Sequence, residues 1–527
     1  MKITLLKMKK KVNKNYVLIF TLTTFIFFSK YFNSFFLFNE DYIITKILLE
    51  TSDIQYYPLV ESLSRFDLSP SFSKYFTPQK IITFPILSII WHAIFFKFLN
   101  YYSFIVLEFI FKFLTFLVLY KIFKKLDINS ICSIFFSFLI LILPSFINFI
   151  ELVDFKNLDL VGRLVNANLG YRFPRPLVTF LYLNIFLFFL LCYFNNKFKK
   201  KKIFLFLPLS IVLIFLANSF FYLFISCSLL LLLLLIINLK KNFFSFFKEN
   251  ILILLFSFIL VLFGVSIILF QSIFGEVDYS RRIGLFEINF NEKIFLLRYF
   301  FLSFIKYEII ALFFLSLILK FFSKQVLLKK NIIDKINIFF YLFLCSIISP
   351  FLFVLLFPKV ISLYHFFDLI IFTGIYYIFF YFIVFFYFRF NNFFTKVTFV
   401  YILYCTCFFL IFLNNKFTTI NVDERQDINL INTFLLKNNI NSTNKVLFTD
   451  DLRIINLWLY HKNKYLSVPE GFSNSLNDTQ IEKSLFLLFK SLDINNNEFK
   501  NFLNLKSEDG RNFFSLFLFN YKYQANS

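Results

Sequence analysis

The sequence predicts an all-α polytopic membrane protein of about 11–12 transmembrane helices, with a small C-terminal α/β soluble domain. Composition is the first observation, because a chain of 527 residues that is 59% hydrophobic has more apolar surface than a water-soluble fold can bury. The second is the alternation of apolar runs of about twenty residues with short basic segments. The third is a change to ordinary composition near residue 417, so we expect a transmembrane part at 1–416 and a second domain at 417–527.

The net charge of +23 includes many lysines grouped in short segments between the apolar runs. Lysine clusters of this kind orient transmembrane helices with the clusters on the cytoplasmic side. They account for the charge without nucleic acid, which is not expected as a partner. The six cysteines lie in apolar runs without metal-type spacing, so neither a disulfide framework nor a cysteine metal site is predicted.

The basic residues before the first apolar run place the N-terminus in the cytoplasm and the loop 39–80 outside. The predicted spans are 16–38, 102–123, 129–150, 177–195, 203–217, 220–238, 251–271, 297–321, 336–357, 367–388 and 395–413. The run 81–100 contains Pro85, His92 and Lys97, so we expect it to make no net crossing. About eleven crossings then leave the C-terminal domain outside the cytoplasmic membrane.

The C-terminal domain is predicted from alternating helical and β-rich segments. Helical spacing occurs at 427–436, 454–460 and 481–492, and β-rich runs occur at 445–449 and 464–468. Asp450 and Asp451 follow the first β-rich run, and we interpret them as a helix cap rather than as ligand-binding acids.

The first external loop contains six carboxylates: Glu40, Asp41, Glu50, Asp53, Glu61 and Asp67. Two short helices lying along the membrane surface are predicted in this loop. The apolar face of the first consists of Ile43, Ile44, Ile47 and Leu48. The second begins near Pro58, whose fixed φ suits a first helical turn. We therefore expect the acids to be held at the membrane surface; the alternative is that they only keep a loop solvated.

Arginines occur in two further external loops, 151–176 and 275–293. A guanidinium pairs bidentately with phosphate oxygens, which an ammonium does not. The candidate phosphate ligands are Arg163, Arg172, Arg175, Arg281 and Arg282. Two of them belong to the segment Arg-Phe-Pro-Arg-Pro directly before a predicted span, which places both at headgroup depth. The alternative is anchoring to anionic lipid headgroups.

Charged residues also occur within or near predicted spans: Glu108, Lys112, Lys306 and Glu308. Charge is costly there and usually faces a cavity or a partner. Glu108 and Lys112 are four residues apart, so we expect them to pair on one helix face, with a proton relay as the alternative. His92 and His365 are single histidines without a second ligand nearby in sequence, so no metal site is predicted.

An acidic group just after the first span, interfacial helices behind it, many further spans and an external α/β domain together resemble the GT-C class of integral membrane glycosyltransferases. This class includes oligosaccharyltransferase catalytic subunits, protein mannosyltransferases and the aminoarabinose transferases of lipid A. The local motif of the resemblance is Asn39-Glu40-Asp41-Tyr42. The WWD-type signature of the oligosaccharyltransferases is absent from the sequence.

The resemblance implies transfer of a sugar from a polyprenyl-phosphate donor at the outer face of the cytoplasmic membrane. Asp41 or Glu40 would take the proton of the acceptor, with Asp53 in reserve. The arginines would hold the lipid phosphate as it leaves. A divalent cation is an open alternative as cofactor, since a carboxylate can also orient a metal ion. The implied partners are a lipid-linked sugar donor and membrane lipids.

Three other functions stay open. A transporter or flippase for a lipid-linked glycan would have charges around a central cavity and an internal repeat, and no repeat is visible. An O-antigen-type polymerase would have a large arginine-rich central loop, whereas the largest external regions here are the first loop and the tail. A non-catalytic membrane scaffold is the remaining alternative.

Overall fold

The computed structural model describes the following residues: 14–38, 56–77, 85–152, 173–195, 205–239, 243–274, 286–287, 289–304, 307–325, 330–357, 359–360, 364–389, 422–437, 446–447, 452–460, 465–468, 476–495 and 497–498. Over these residues the chain is mostly helical, as the sequence predicts. The predicted span 395–413, the predicted helix around Ile43–Leu48 and the pair Asp450 and Asp451 lie outside them.

Most helices belong to the predicted transmembrane part. They are α1 (Lys14–Phe38), α2 (Tyr57–Ser64), α3 (Ile86–Leu99), α4 (Tyr102–Lys125), α5 (Ser130–Leu152), α6 (Leu177–Asn195), α7 (Phe206–Ala217), α8 (Phe221–Leu239), α9 (Phe243–Phe274), α10 (Phe290–Phe304), α11 (Tyr307–Gln325), α12 (Lys330–Leu356) and α13 (Tyr364–Arg389). The two-residue strands β1 (Phe286–Glu287) and β2 (Lys359–Val360) pair antiparallel, so that the chain before α10 is bonded to the chain before α13.

Three helices among the described residues are long and apolar enough to cross a membrane: Tyr102–Lys125, Lys330–Leu356 and His365–Arg389. They coincide with predicted spans. Several other predicted spans appear as shorter apolar helices, of which α7 has only 12 residues. Phenylalanine fills much of the core between these helices; for example, the rings of Phe339 and Phe380 stack with centroids 4.3 Å apart.

One end of the helical bundle, here called the Arg175 end, is defined by aromatic contacts between helix starts. The ring centroid of Phe173, in the segment before α6, lies 5.3 Å from that of Phe104 at the start of α4. The ring centroid of Phe220, directly before α8, lies 5.9 Å from that of His365 at the start of α13. The guanidinium of Arg175 lies 5.6 Å from the Phe220 ring, which connects the two pairs. The starts of α4, α6, α8 and α13 therefore meet at this end.

The opposite end, the Lys125 end, is held by hydrogen bonds. The buried ammonium of Lys335 donates to the carbonyl of Lys125 at 2.6 Å and to Oδ2 of Asp127 at 3.2 Å. A cation is favourable there because helix α4 ends at Lys125 with its negative dipole end. The backbone N–H of Asn129 donates to the hydroxyl of Tyr387 at 3.1 Å. The first two bonds connect α12 to the end of α4, and the third connects α13 to the residue before α5.

Helix α3 begins and ends at the Arg175 end. The N–H of Leu87 donates to the carbonyl of Asn218, the residue after α7, at 3.3 Å. The chain turns at Asn100, whose φ is 50°. The following residue, Tyr101, contacts Tyr460 with ring centroids 5.0 Å apart. Over its described part, the run predicted to make no net crossing therefore stays at one end of the bundle.

The predicted span 297–321 overlaps two described helices, α10 and α11. In α10, Phe300 packs against Phe351 and Phe366 near the Arg175 end. In α11, the ammonium of Lys320 lies 4.2 Å from the Phe340 ring, farther toward the Lys125 end. The two helices extend from near the Arg175 end toward the Lys125 end, and Lys306 lies outside the described residues.

The C-terminal elements follow the predicted order. They are α14 (Val422–Lys437), β3 (Val446–Leu447), α15 (Leu452–Tyr460), β4 (Tyr465–Leu466) and α16 (Asp478–Ser491). Strands β3 and β4 are parallel and are joined through α15, with Val446 opposite Tyr465. Helix α16 begins with a capping box between Asn477 and Gln480, which satisfies two backbone donors.

Polar side chains connect helices inside the bundle. The Tyr376 hydroxyl on α13 donates to Oδ1 of Asn184 on α6 at 2.6 Å, and both residues are buried. Nδ2 of Asn218 donates to the carbonyl of Gly264 on α9 at 3.0 Å. A Cβ atom at Gly264 would lie only 2.5 Å from Cγ2 of Ile214 on α7. Because glycine has no side chain, α7 and α9 can pack this closely.

We expect Tyr376→Phe to lower the free energy of unfolding by about 0.5–1.7 kcal/mol, because it removes one interhelical hydrogen bond in apolar surroundings. The neighbouring variant Tyr377→Phe is a matched control, since its hydroxyl has no hydrogen bond to a described residue. Thermal unfolding in detergent compares the two. Equal losses in both variants would contradict a stabilising role for the Asn184 bond.

Candidate functional site

Arg175 is the only predicted site residue that lies among the described residues. The predicted catalytic acids Asp41, Glu40 and Asp53 lie outside them. So do the other predicted phosphate ligands, namely Arg163, Arg172, Arg281 and Arg282. The candidate site among the described residues therefore centres on Arg175.

The backbone around Arg175 runs directly into helix α6. The carbonyls of Pro174 and Pro176 accept hydrogen bonds from the N–H groups of Val178 and Phe180, at 3.0 and 2.8 Å. These bonds form the first turn of the helix. Arg175 is therefore fixed at the start of α6, as the sequence segment before the predicted span suggested.

The guanidinium of Arg175 lies between two aromatic side chains. Its Nη2 donates to the hydroxyl of Tyr56 at 2.6 Å. Its Cζ lies 5.8 Å from the Tyr56 ring centroid and 5.6 Å from the Phe220 ring centroid, within the range of cation–π attraction. Tyr56 is fully buried, whereas Arg175 is partly exposed. The cation is thus held in one orientation at the edge of a largely apolar surface.

Packed aromatic rings support this position from the bundle side. Tyr57 stacks on Phe104 with ring centroids 4.1 Å apart. The ring centroid of Phe173, two residues before Arg175, lies 5.9 Å from that of Tyr57 and 4.2 Å from that of His92. All four of these residues are buried. The segment that positions Arg175 is therefore anchored on α2, α3 and α4 together.

The C-terminal elements cover the same end of the bundle. Ile455, Trp458 and Leu459 of α15 belong to one buried cluster with Tyr56 and Tyr57 of the first loop. This placement brings the C-terminal part of the chain next to the Arg175 segment.

Two backbone carbonyls of the first loop are also bonded to the C-terminal part. The N–H of Leu466 donates to the carbonyl of Phe72 at 2.9 Å. Nε2 of Gln480 donates to the carbonyl of Thr77 at 3.1 Å. The described part of the first loop thus lies between the bundle and the C-terminal elements.

Two acids of the first loop lie among the described residues, and both make local contacts. Glu61 accepts a hydrogen bond from the guanidinium of Arg65 one turn later on α2. Oδ1 of Asp67 accepts from the N–H of Ser69 at 3.0 Å, which is a turn interaction. Burial, with a smaller contribution from Glu61, raises the pKa of Tyr101 well above its ordinary value. Tyr101 is therefore a neutral phenol throughout the physiological pH range.

The pairing predicted inside α4 is confirmed. Nζ of Lys112 lies 2.6 Å from Oε1 of Glu108, and both side chains are almost completely buried. Nδ1 of His365 lies 3.8 Å from Oδ2 of Asp368, one turn later on α13. No group of three or more His, Cys, Asp or Glu that could hold a metal ion occurs in the described ranges.

Tyr56 is the site residue that the sequence did not single out. Its bond to Arg175 joins positions 119 residues apart, so no local spacing reveals it. The available signal was its position directly before the predicted second helix of the first loop. A guanidinium oriented by a buried hydroxyl can pair with an anionic group such as a phosphate.

We expect Arg175→Ala to weaken binding of a prenyl phosphodiester about 10- to 100-fold, because a charge-assisted hydrogen-bonded contact contributes about 1.5–3 kcal/mol. Tyr56→Phe should weaken it about fivefold, the effect of one orienting hydrogen bond. Isothermal titration of the full chain in detergent measures both affinities.

Arg65→Ala is the control, since the Arg65 side chain is 59% exposed and an ion pair with an exposed partner contributes little. Its affinity should stay within about twofold of the unaltered chain. Equal effects of Arg65→Ala and Arg175→Ala would contradict a specific phosphate site at Arg175.

Comparison with protein-family models, with curated proteins and with solved structures finds no match for this chain.

Proposed function

We propose that the chain is an integral membrane glycosyltransferase of the GT-C type. It transfers a sugar from a polyprenyl-phosphate donor at the outer face of the cytoplasmic membrane. The observation that carries this proposal is the placement of Arg175, whose guanidinium is oriented by Tyr56 at the end of an apolar bundle.

Negative charge develops on the leaving phosphate during this reaction, and Arg175 is a cation that can stabilise it. The bond between the anomeric carbon and the phosphate oxygen breaks, and the lipid phosphate leaves with an additional negative charge. Arg175 stabilises that charge, which in water-poor surroundings interacts more strongly with a fixed cation than in bulk water. Arg163, Arg172, Arg281 and Arg282 are proposed as further phosphate ligands.

A base completes the transfer by accepting the proton of the acceptor hydroxyl as the new glycosidic bond forms. Asp41 or Glu40 is proposed for this role, with Asp53 as the reserve candidate. These acids belong to the same external loop as Tyr56, which bonds to Arg175. That sequence proximity supports the assignment of base and phosphate ligand to one site.

The domain arrangement proposed for this activity has two parts. The apolar helices of 1–416 accommodate the polyprenyl chain from the membrane side. The C-terminal α/β domain, 417–527, lies on the extracytoplasmic side next to the site. The packing of α15 on the first-loop helix α2 supports this placement.

A transporter or flippase for a lipid-linked glycan is the second candidate. The buried pair of Glu108 and Lys112 favours it, because charges inside an apolar helix often mark an ion or substrate pathway. Translocation of a fluorescent lipid-linked sugar in proteoliposomes, without formation of a glycosylated acceptor, would support this candidate over the enzyme.

We expect Asp41→Asn, or failing that Glu40→Gln, to lower transfer by a factor of about 10²–10⁴, because it removes a charged base and keeps the shape of the side chain. Transfer from a lipid-linked sugar donor in membranes measures the effect. Asp67→Asn is the matched control, since asparagine retains the Oδ1 that accepts from Ser69. Full activity in both Asp41→Asn and Glu40→Gln would contradict the proposed base.

We also expect a reporter fused after Ser527 to lie outside the cytoplasm, since the lysine clusters orient an odd number of crossings. Alkaline phosphatase and fluorescent protein fusions report on opposite sides of the membrane. A cytoplasmic C-terminus would separate the tail from the proposed active-site face.

A further inference from the structure

Helix α3 has one buried and one exposed face, and the exposed face is apolar. Trp91, Ile94 and Phe98 are 37%, 47% and 78% exposed. They are spaced by three and four residues, so they form one stripe along the helix. The buried residues on the other face are Ser88, Ile89, His92, Ala93 and Phe96. The stripe therefore faces away from α2 and α4, on which the buried face packs.

Helix α3 is too short to cross a membrane. Its 14 residues span about 21 Å, whereas the hydrocarbon layer of a bilayer is about 30 Å thick. Near its start the N–H of Leu87 is bonded to Asn218, and its C-terminal end leads directly into the start of α4. Both ends of the helix thus lie at one end of the bundle.

Aromatic contacts give the depth of α3 beside the bundle. The ring centroid of His92, in the middle of α3, lies 5.6 Å from those of both Phe104 and Phe111 on α4. A ring between these two positions lies beside the second turn of α4, about 8 Å from the start of that helix. Helix α3 therefore packs against the first turns of α4 and not against its middle.

The stripe continues into the exposed face of α4, which is long and apolar enough to cross a membrane. Tyr102, four residues after Phe98, is exposed, and so is Val106 one turn later. In a membrane such a face lies against acyl chains. The adjoining stripe of α3 then has the same lipid as its neighbour.

Aromatic and cationic side chains border the stripe at its C-terminal end. Phe66, in the turn after α2, is 80% exposed, and its φ of 60° lies in the left-handed region that bulky residues rarely adopt. The ammonium of Lys97 lies 5.6 Å from the centroid of this ring. Amphipathic side chains of this kind place their apolar part among acyl chains and their charge among headgroups. The charge of Lys97 complements an anionic phospholipid.

We propose that α3 is an in-plane membrane helix whose Trp91, Ile94 and Phe98 bind the acyl chains of phospholipids in the leaflet at the Arg175 end. Phe66 and Lys97 lie at the level of the headgroups of these lipids. The opposite face of α3 carries His92, whose ring centroid is 4.2 Å from that of Phe173 in the Arg175 segment. The helix thereby sets the depth of that segment relative to the membrane surface.

Trp91 and Trp458 are the two tryptophans of the chain, which makes this placement measurable. The test is fluorescence of the full chain in phosphatidylcholine and phosphatidylglycerol vesicles with brominated acyl chains, because bromine quenches the indoles that it contacts. Trp458→Phe leaves Trp91 as the emitter. Trp91→Phe leaves Trp458, which is buried and donates to the carbonyl of Tyr465 at 3.1 Å. We expect bromination to remove most of the Trp91 emission and almost none of the Trp458 emission.

The position of the bromine along the acyl chain tests the depth. Bromines near the headgroup end should quench Trp91 more strongly than bromines near the terminal methyl, because an in-plane helix reaches only about 5–10 Å into the leaflet. Phe98→Trp, in the chain without the two native tryptophans, should be quenched in the same way. Phe486→Trp, at an exposed position of α16, is the control and should be quenched by aqueous iodide and not by lipid.

Trp91 emission that brominated lipid leaves unchanged would overturn the inference, because water or another protein would then cover the stripe. Stronger quenching by the deep bromines would also overturn it, since α3 would then reach the middle of the bilayer. If Trp458→Phe does not fold, the quenching that is lost between the unaltered chain and Trp91→Phe measures the lipid contact of Trp91 instead.

Discussion

The stacking of Tyr57 on Phe104 is the contact on which the arrangement at the Arg175 end depends. It joins a helix of the first loop to the start of a long apolar helix. Phe173 packs against both rings, and the C-terminal helix α15 packs on the same first-loop helix. The loop, the Arg175 segment and the C-terminal elements therefore share one aromatic cluster as their support.

Local features of this fold follow from sequence spacing alone. The pairing of Glu108 with Lys112 was predictable because residues four apart face each other on any helix. The first-loop helix begins at Tyr57 with Pro58 in its first turn, as the fixed φ of proline predicts. The order of strands and helices near the C-terminus followed from the spacing of apolar residues, which changes between the helical and the strand period.

Contacts between distant parts of the chain could not be predicted in this way. Tyr376 and Asn184 are 192 residues apart, and their bond depends on which helices become neighbours. Only the Arg175 part of the predicted site can be compared with the structure, since its other members lie outside the described residues.

The short helix α7 has a consequence for the surrounding lipid. Its 12 residues span about 18 Å, whereas the hydrocarbon layer of a bilayer is about 30 Å thick. Asn218 ends the helix at the Arg175 end and bonds to α9. In a bilayer around the proposed membrane protein, a helix this short favours local thinning, and such hydrophobic mismatch makes a protein sensitive to membrane thickness.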